Sequence, residues 1–184
     1  MILLSAIVAF AGVFVTAEDI DEIVILPCKA FSLKGGKVEL VWTGKPRENS
    51  STFITDFEKP FAIPRGGQYD IFFTPKGGLK VHVLADWSPK AGKNTIQLAD
   101  SLGTIVVLGD NLPRAESIVL ADETDPGPGE KGHRPIQRVS DYKDDLIVPA
   151  GFYSVWIVPA NGAKPQRIAD RIRVQVGRET RVGE

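Results

Sequence analysis

Shortages shape the first reading of this 184-residue chain. A single cysteine excludes an intrachain disulfide framework and any paired-cysteine zinc or redox site. The two histidines, His82 and His133, stand far apart and, even with Cys28, are too few and too scattered for a zinc centre. Net charge is lacking as well: 22 Lys+Arg against 23 Asp+Glu leave −1, with no general attraction to nucleic acid or to an anionic membrane. After residue 17 no apolar run approaches the length that spans a bilayer. No nucleophile elbow of the GxSxG kind, no phosphate-binding loop and no GxGxxG fingerprint is present, so a non-enzymatic role is expected. The alternative, a hydrolase of unrecognised type, would require convergent carboxylates or a Ser-His pair in one cleft.

What is present is an ordinary globular composition, 43% hydrophobic and 24% charged. The first charged side chain is Glu18, and residues 1–17 are an apolar run ending in Val15-Thr16-Ala17, where a signal peptidase accepts small residues. No Lys or Arg precedes the run, which leaves the α-amino group as its only positive charge. The expectation is a signal peptide over 1–17 and a secreted or periplasmic protein associated with the cell surface. The alternative is a buried N-terminal strand. Cys28 reads as a small buried hydrophobe rather than an anchor.

The strongest internal signal is a repeat. Ile63-Pro64-Arg65-Gly66-Gly67-Gln68-Tyr69-Asp70-Ile71-Phe72-Phe73-Thr74-Pro75 answers to Val148-Pro149-Ala150-Gly151-Phe152-Tyr153-Ser154-Val155-Trp156-Ile157-Val158-Pro159, with Gly67 as the extra residue. From Tyr69 and Tyr153 onward, Pro75/Pro159, Gly78/Gly162, Lys80/Lys164, Ala85/Ala169 and Asp86/Asp170 keep an offset of 84. The repeats are therefore expected over 18–100 and 101–184, with the boundary between Leu98 and Gly103. Short runs of β-branched and aromatic residues, separated by Gly and Pro, predict strands throughout, and no stretch has a helical period. In Ile172-Arg173-Val174-Gln175-Val176 the alternation places Ile172, Val174 and Val176 inward. The predicted class is all-β: two tandem Ig-like or transthyretin-like β-sandwiches of about seven strands each. Pro64 with Gly66, and Pro149 with Gly151, are read as structural turns.

The run Val148-Pro149-Ala150-Gly151-Phe152-Tyr153-Ser154-Val155, then Pro159 and Gly162, then Val174-Gln175-Val176-Gly177-Arg178-Glu179-Thr180-Arg181-Val182, resembles the closing half of carboxypeptidase-regulatory-like and PEGA-like domains. Gly103-Thr104-Ile105-Val106-Val107 with Asn111-Leu112-Pro113 is similar to their opening strand and turn. The resemblance implies a transthyretin-like sandwich of secreted bacterial proteins, a spacer or binding role, and no catalytic residues.

Features found in only one repeat are the better functional candidates. Asp122, Asp125 and Glu130 lie in an acidic Gly/Pro-rich stretch whose carboxylates could gather oxygen ligands for Ca²⁺, although the spacing is not that of an EF-hand; a solvated, mobile loop is the plainer expectation. The basic segment from Lys164 to Arg181 could dock an anionic glycan or an acidic partner, or protect a sheet edge. Trp87, in a loop-like Asp86-Trp87-Ser88-Pro89, and Trp42, opposite Ala121 in the repeat, are the candidate surface rings for a sugar ligand; Trp156, aligned with Phe72, is expected in the core. The partners expected are a polysaccharide or an envelope or extracellular protein, and not nucleic acid.

Overall fold

The computed structural model describes residues 9–10, 13–14, 20–26, 33, 35–43, 51–57, 59–64, 67–109 and 111–183. Cys28 and the turn residue Gly66 lie outside them. Strand follows strand: β1 (Ala9–Phe10), β2 (Val13–Phe14), β3 (Ile20–Leu26), β4 (Lys37–Trp42), β5 (Ser51–Ile54), β6 (Phe61–Pro64), β7 (Tyr69–Thr74), β8 (Val81–Trp87) and β9 (Lys93–Gln97). A 3₁₀ turn, Leu98–Asp100, leads into β10 (Leu102–Val107), β11 (Ala115–Asp122), β12 (Pro135–Val139), β13 (Leu146–Pro149), β14 (Gly151–Pro159), β15 (Gln166–Val174) and β16 (Glu179–Val182). No helix among the described residues is long and apolar enough to cross a membrane.

The chain is all-β, and its two halves have the same topology. A three-stranded sheet β6-β3-β9 and a four-stranded sheet β5-β4-β7-β8 are matched, strand for strand, by β13-β10-β16 and β12-β11-β14-β15. In each half the first and last strands run parallel, β3 beside β9 and β10 beside β16, while every other pair is antiparallel. The period-2 pattern explains the layering. In β7, Tyr69, Ile71 and Phe73 are buried while Asp70, Phe72 and Thr74 alternate outward. Val38, Leu40, Ile71, Phe73, Ile96 and Leu98 form the first core; Ile105, Ile118, Leu120, Leu146, Val155 and Val174 form the second.

The register refines the repeat. Tyr69 pairs with Trp87 and Ile71 with Leu84, whereas Tyr153 pairs with Ile172 and Val155 with Ala169. The offset along β8 and β15 is thus 85, not 84, and Asp86 answers to Arg171 rather than to Asp170. Asp86 (φ 49°) and Arg171 (φ 48°) both take a left-handed backbone within a β-bulge, so the matched Ala-Asp pairs of the sequence are a coincidence of spacing. Trp42 pairs with Tyr69 and Asp122 with Tyr153, which makes Asp122, not Ala121, the counterpart of Trp42. Val176 is also displaced from its expected inward position. The strand stops at Val174, a turn closes from the Gln175 carbonyl to the Arg178 N–H, and Val176 is 47% exposed. Pro149 ends β13, its carbonyl accepting a hydrogen bond from the Tyr153 hydroxyl at 3.0 Å, and Pro64 ends β6.

The two halves meet through backbone. The hairpin after β7 lies against β12: the Leu79 N–H donates to the Ile136 carbonyl (3.0 Å), the Arg138 N–H donates to the Gly77 carbonyl (2.9 Å), and Gly78 bridges to Gln137. The buried Gln137 amide completes the seam. Its Nε2 donates to the carbonyls of Lys76 (2.8 Å) and Asp145 (3.1 Å), and its Oε1 accepts from the Ile147 N–H (2.8 Å). Gly77 is required here because a Cβ would stand 1.9 Å from the Arg138 carbonyl oxygen, at a φ of +65°. Leu102 and Ile147, from the second half, are members of the first core.

Candidate functional site

The two candidate tryptophans are brought together. Trp42 ends β4 and Trp87 ends β8, on either side of Tyr69 at the start of β7. The Trp42 and Tyr69 rings meet edge to face at 5.2 Å, and Tyr69 and Trp87 lie 6.4 Å apart. Both indoles are half-buried and pack against the first core, so this row of three rings closes one end of the sandwich while keeping a rim on the surface. Gly67 lets the row form: a Cβ there would stand 2.4 Å from the Tyr69 ring and 2.6 Å from Trp42. The row belongs to the first half alone, since Asp122, Tyr153 and Ile172 occupy the matching positions.

The acidic stretch, expected as a solvated, mobile loop, is held together by hydrogen bonds around the buried Asp125. One Asp125 oxygen, Oδ1, accepts from the Gly127 N–H (2.7 Å) and lies 2.6 Å from His133 Nδ1; the other, Oδ2, accepts from the Arg134 N–H (2.7 Å). Burial pushes the Asp125 carboxyl up, but the hydrogen bonds from His133, Arg134 and Gly127 outweigh it and hold the group below its ordinary value. Asp122 accepts from the Thr124 N–H and hydroxyl, which hold its carboxyl low as well. Glu130 is exposed. The three carboxylates do not converge, and no group of three His, Cys, Asp or Glu able to hold a metal ion occurs among the described residues.

This loop rests on Trp156, contrary to the expectation that Trp156 is a core residue. Trp156 projects from the outer face of β14 between the buried Val155 and Ile157, with the Arg167 guanidinium 4.5 Å above its ring, and Gly127 is so close that a Cβ would stand 2.5 Å from the indole. Strict alternation along β14 would have placed it outward. The covering also explains why Val119 and Ala121, on the same outer face of β11, are fully buried.

On the first half the matching outer face carries a polar and aromatic surface that sequence reasoning missed. Phe72 stacks on His82 at 4.7 Å, and Lys80 Nζ lies 4.1 Å over Phe72 and 2.6 Å from Glu39. Hydrogen bonding to Lys80 holds the Glu39 carboxyl below its usual range. Lys37 covers Phe53, which remains 53% exposed. The signal was available in the outward positions Glu39, Phe72 and His82 of three adjacent strands, with Lys80 just before β8, but it needs the strand pairing to be seen.

No family model matches the chain, and no curated protein matches it. Among solved structures, a leucine-rich repeat protein from Bacteroides thetaiotaomicron is similar at 9% identity and a TM-score of 0.27, over 89% of this chain and 25% of that one. The Bacillus anthracis TIE protein is similar at 12% identity and a TM-score of 0.26, over 88% of this chain and 32% of that one. The chain thus spans a third or less of the length of these two proteins.

Proposed function

We propose that this chain is an exported, non-enzymatic tandem β-sandwich that serves as a binding and structural module of the cell envelope or extracellular space. One observation carries the reading. The same pair of sheets occurs twice, and the two copies are joined through a buried, fully hydrogen-bonded Gln137 seam, an arrangement suited to presenting a surface from a stiff support. The resemblance to carboxypeptidase-regulatory-like and PEGA-like domains supports the same role, and the apolar residues 1–17 supply a route of export. Fractionation of the source cells tests it: the protein is expected outside the cytoplasm, with its N-terminus at Glu18. An intact chain retained in the cytoplasm would overturn the proposal.

The ring row, with its two partly buried indoles on either side of the buried Tyr69, favours a second reading, carbohydrate binding through Trp42 and Trp87. Tryptophan fluorescence titrated with neutral soluble polysaccharides is then expected to saturate. Trp87→Leu, which keeps an apolar body but removes the flat indole, is expected to weaken binding about tenfold, the loss of one good contact of ~1.4 kcal/mol. Unchanged affinity in that variant would remove the site.

A further inference from the structure

The second half carries a basic and aromatic depression that the repeat does not share. It measures about 550 Å³ and is bordered by Phe152, Arg173, Val176 and Arg178 at the end of the β14–β15 ladder. Phe152 pairs directly with Arg173, so their side chains stand side by side on the outer face, and Phe152 is 45% exposed. The counterparts in the first half by the observed register are Gln68 and Ser88, which offer neither ring nor charge.

Three carboxylates of the same half are committed to other arginines. Asp170 pairs with Arg167 at 3.0 Å, Glu123 with Arg171 at 2.7 Å, and Glu179 with Arg181 at 2.6 Å. Arg173 and Arg178 form no ion pair among the described residues, and they flank an exposed ring and the exposed Val176. Two uncompensated guanidiniums beside a flat apolar face match a ligand that carries carboxylates on a ring-shaped, partly apolar body. Guanidinium binds carboxylate through two parallel hydrogen bonds, and an aromatic face takes the C–H face of a sugar ring. The depression is open along one side, which suits a polymer passing over it better than an enclosed small molecule.

We infer that Phe152, Arg173 and Arg178 form a binding site for an acidic polysaccharide built from uronic acid units, the sugar ring lying on Phe152 and its carboxylates on the two arginines. The site rests on the binding-module reading and names a ligand class for it. Affinity electrophoresis of the purified protein in gels containing polygalacturonate, neutral dextran or poly-glutamate tests the assignment. Polygalacturonate is expected to retard the protein more strongly than dextran does, and poly-glutamate, which lacks a ring, to bind more weakly than polygalacturonate. Phe152→Ala is expected to weaken polygalacturonate binding about tenfold, and Arg173→Gln with Arg178→Gln at least tenfold, as the loss of charge-assisted hydrogen bonds requires. Arg134→Gln, which removes the same charge from the loop over Trp156, is expected to leave binding unchanged. No retardation by polygalacturonate, or wild-type binding in the variants, overturns the site. Poly-glutamate binding as tight as polygalacturonate binding and insensitive to Phe152→Ala overturns it in favour of an acidic protein partner. Failure here leaves the export result untouched, whereas a cytoplasmic location would sink the module reading and leave polymer retardation readable in vitro.

Discussion

At the scale of single residues, the molecule depends on positions that composition does not mark. Gly77 is one of 18 glycines, yet its missing Cβ admits the Arg138 carbonyl to the seam. Gly77→Ala combines a steric overlap with a left-handed backbone and is expected to cost about 2–4 kcal/mol, read as a fall in the urea midpoint. Asp125 controls the loop over Trp156. Its carboxyl titrates lower in the folded protein than in the unfolded chain, so its contribution is complete above the unfolded carboxyl's value of about 4 and is lost as pH falls through the folded value. Trp156 emission is therefore expected to stay constant from neutral pH down to about pH 4 and to change below it. Asp125→Asn should abolish that acid step; a step surviving in the variant would show that another group holds the loop.

At the scale of elements, the matching bulges in β8 and β15 show what the repeat conserves: a place where an extra residue bends the strand, whatever its side chain. The Asp86 N–H donates to Asp70 Oδ1 at 2.9 Å, a bond that glycine would keep while relieving the left-handed strain. Asp86→Gly is expected to raise stability by about 1 kcal/mol in a thermal melt, and Arg171→Gly by less, because Arg171 would also lose its contact with Glu123. The strands with strong alternation, such as β4, β7 and β14, were legible in the sequence because each has one face in a core. β6, β12 and β16 were not. β12 opens on Pro135 and holds only two further apolar residues, and β16 is mostly polar, so pairing rather than composition defines both. The same limit applied to the candidate sites. Trp42 and Trp87 could be singled out as unmatched rings, but the pairing of Phe152 with Arg173, and the capture of Asp170, Glu123 and Glu179 by other arginines, exist only once the register is known.

At the scale of the whole molecule, the halves share more than a boundary. Leu102 and Ile147 lend apolar surface to the core of the other half, and the buried Gln137 ties the Lys76 carbonyl of the first half to the Asp145 carbonyl and Ile147 N–H of the second. Denaturant unfolding is accordingly expected to be a single transition, with circular dichroism and fluorescence coinciding. Gln137→Leu, which removes these three hydrogen bonds at about 2–4 kcal/mol in total, should lower the midpoint and separate the transition into two. Two resolved steps in the unmodified protein would contradict this coupling. The exposed Lys76–Asp144 pair beside the seam adds little, because surface ion pairs contribute about 0–1 kcal/mol.

The parallel pairing of first and last strands, repeated in both halves, has a mechanical meaning. Tension entering at the start of β3 and leaving at the end of β9 pulls two neighbouring parallel strands in opposite directions along their length. Every hydrogen bond of that ladder is then loaded at once, in shear, instead of opening one by one as in a zipper. β10 and β16 repeat the geometry, so a chain held at its two ends carries two shear locks in series, and resists stretching far better along its length than it resists peeling at an outer strand such as β8 or β15.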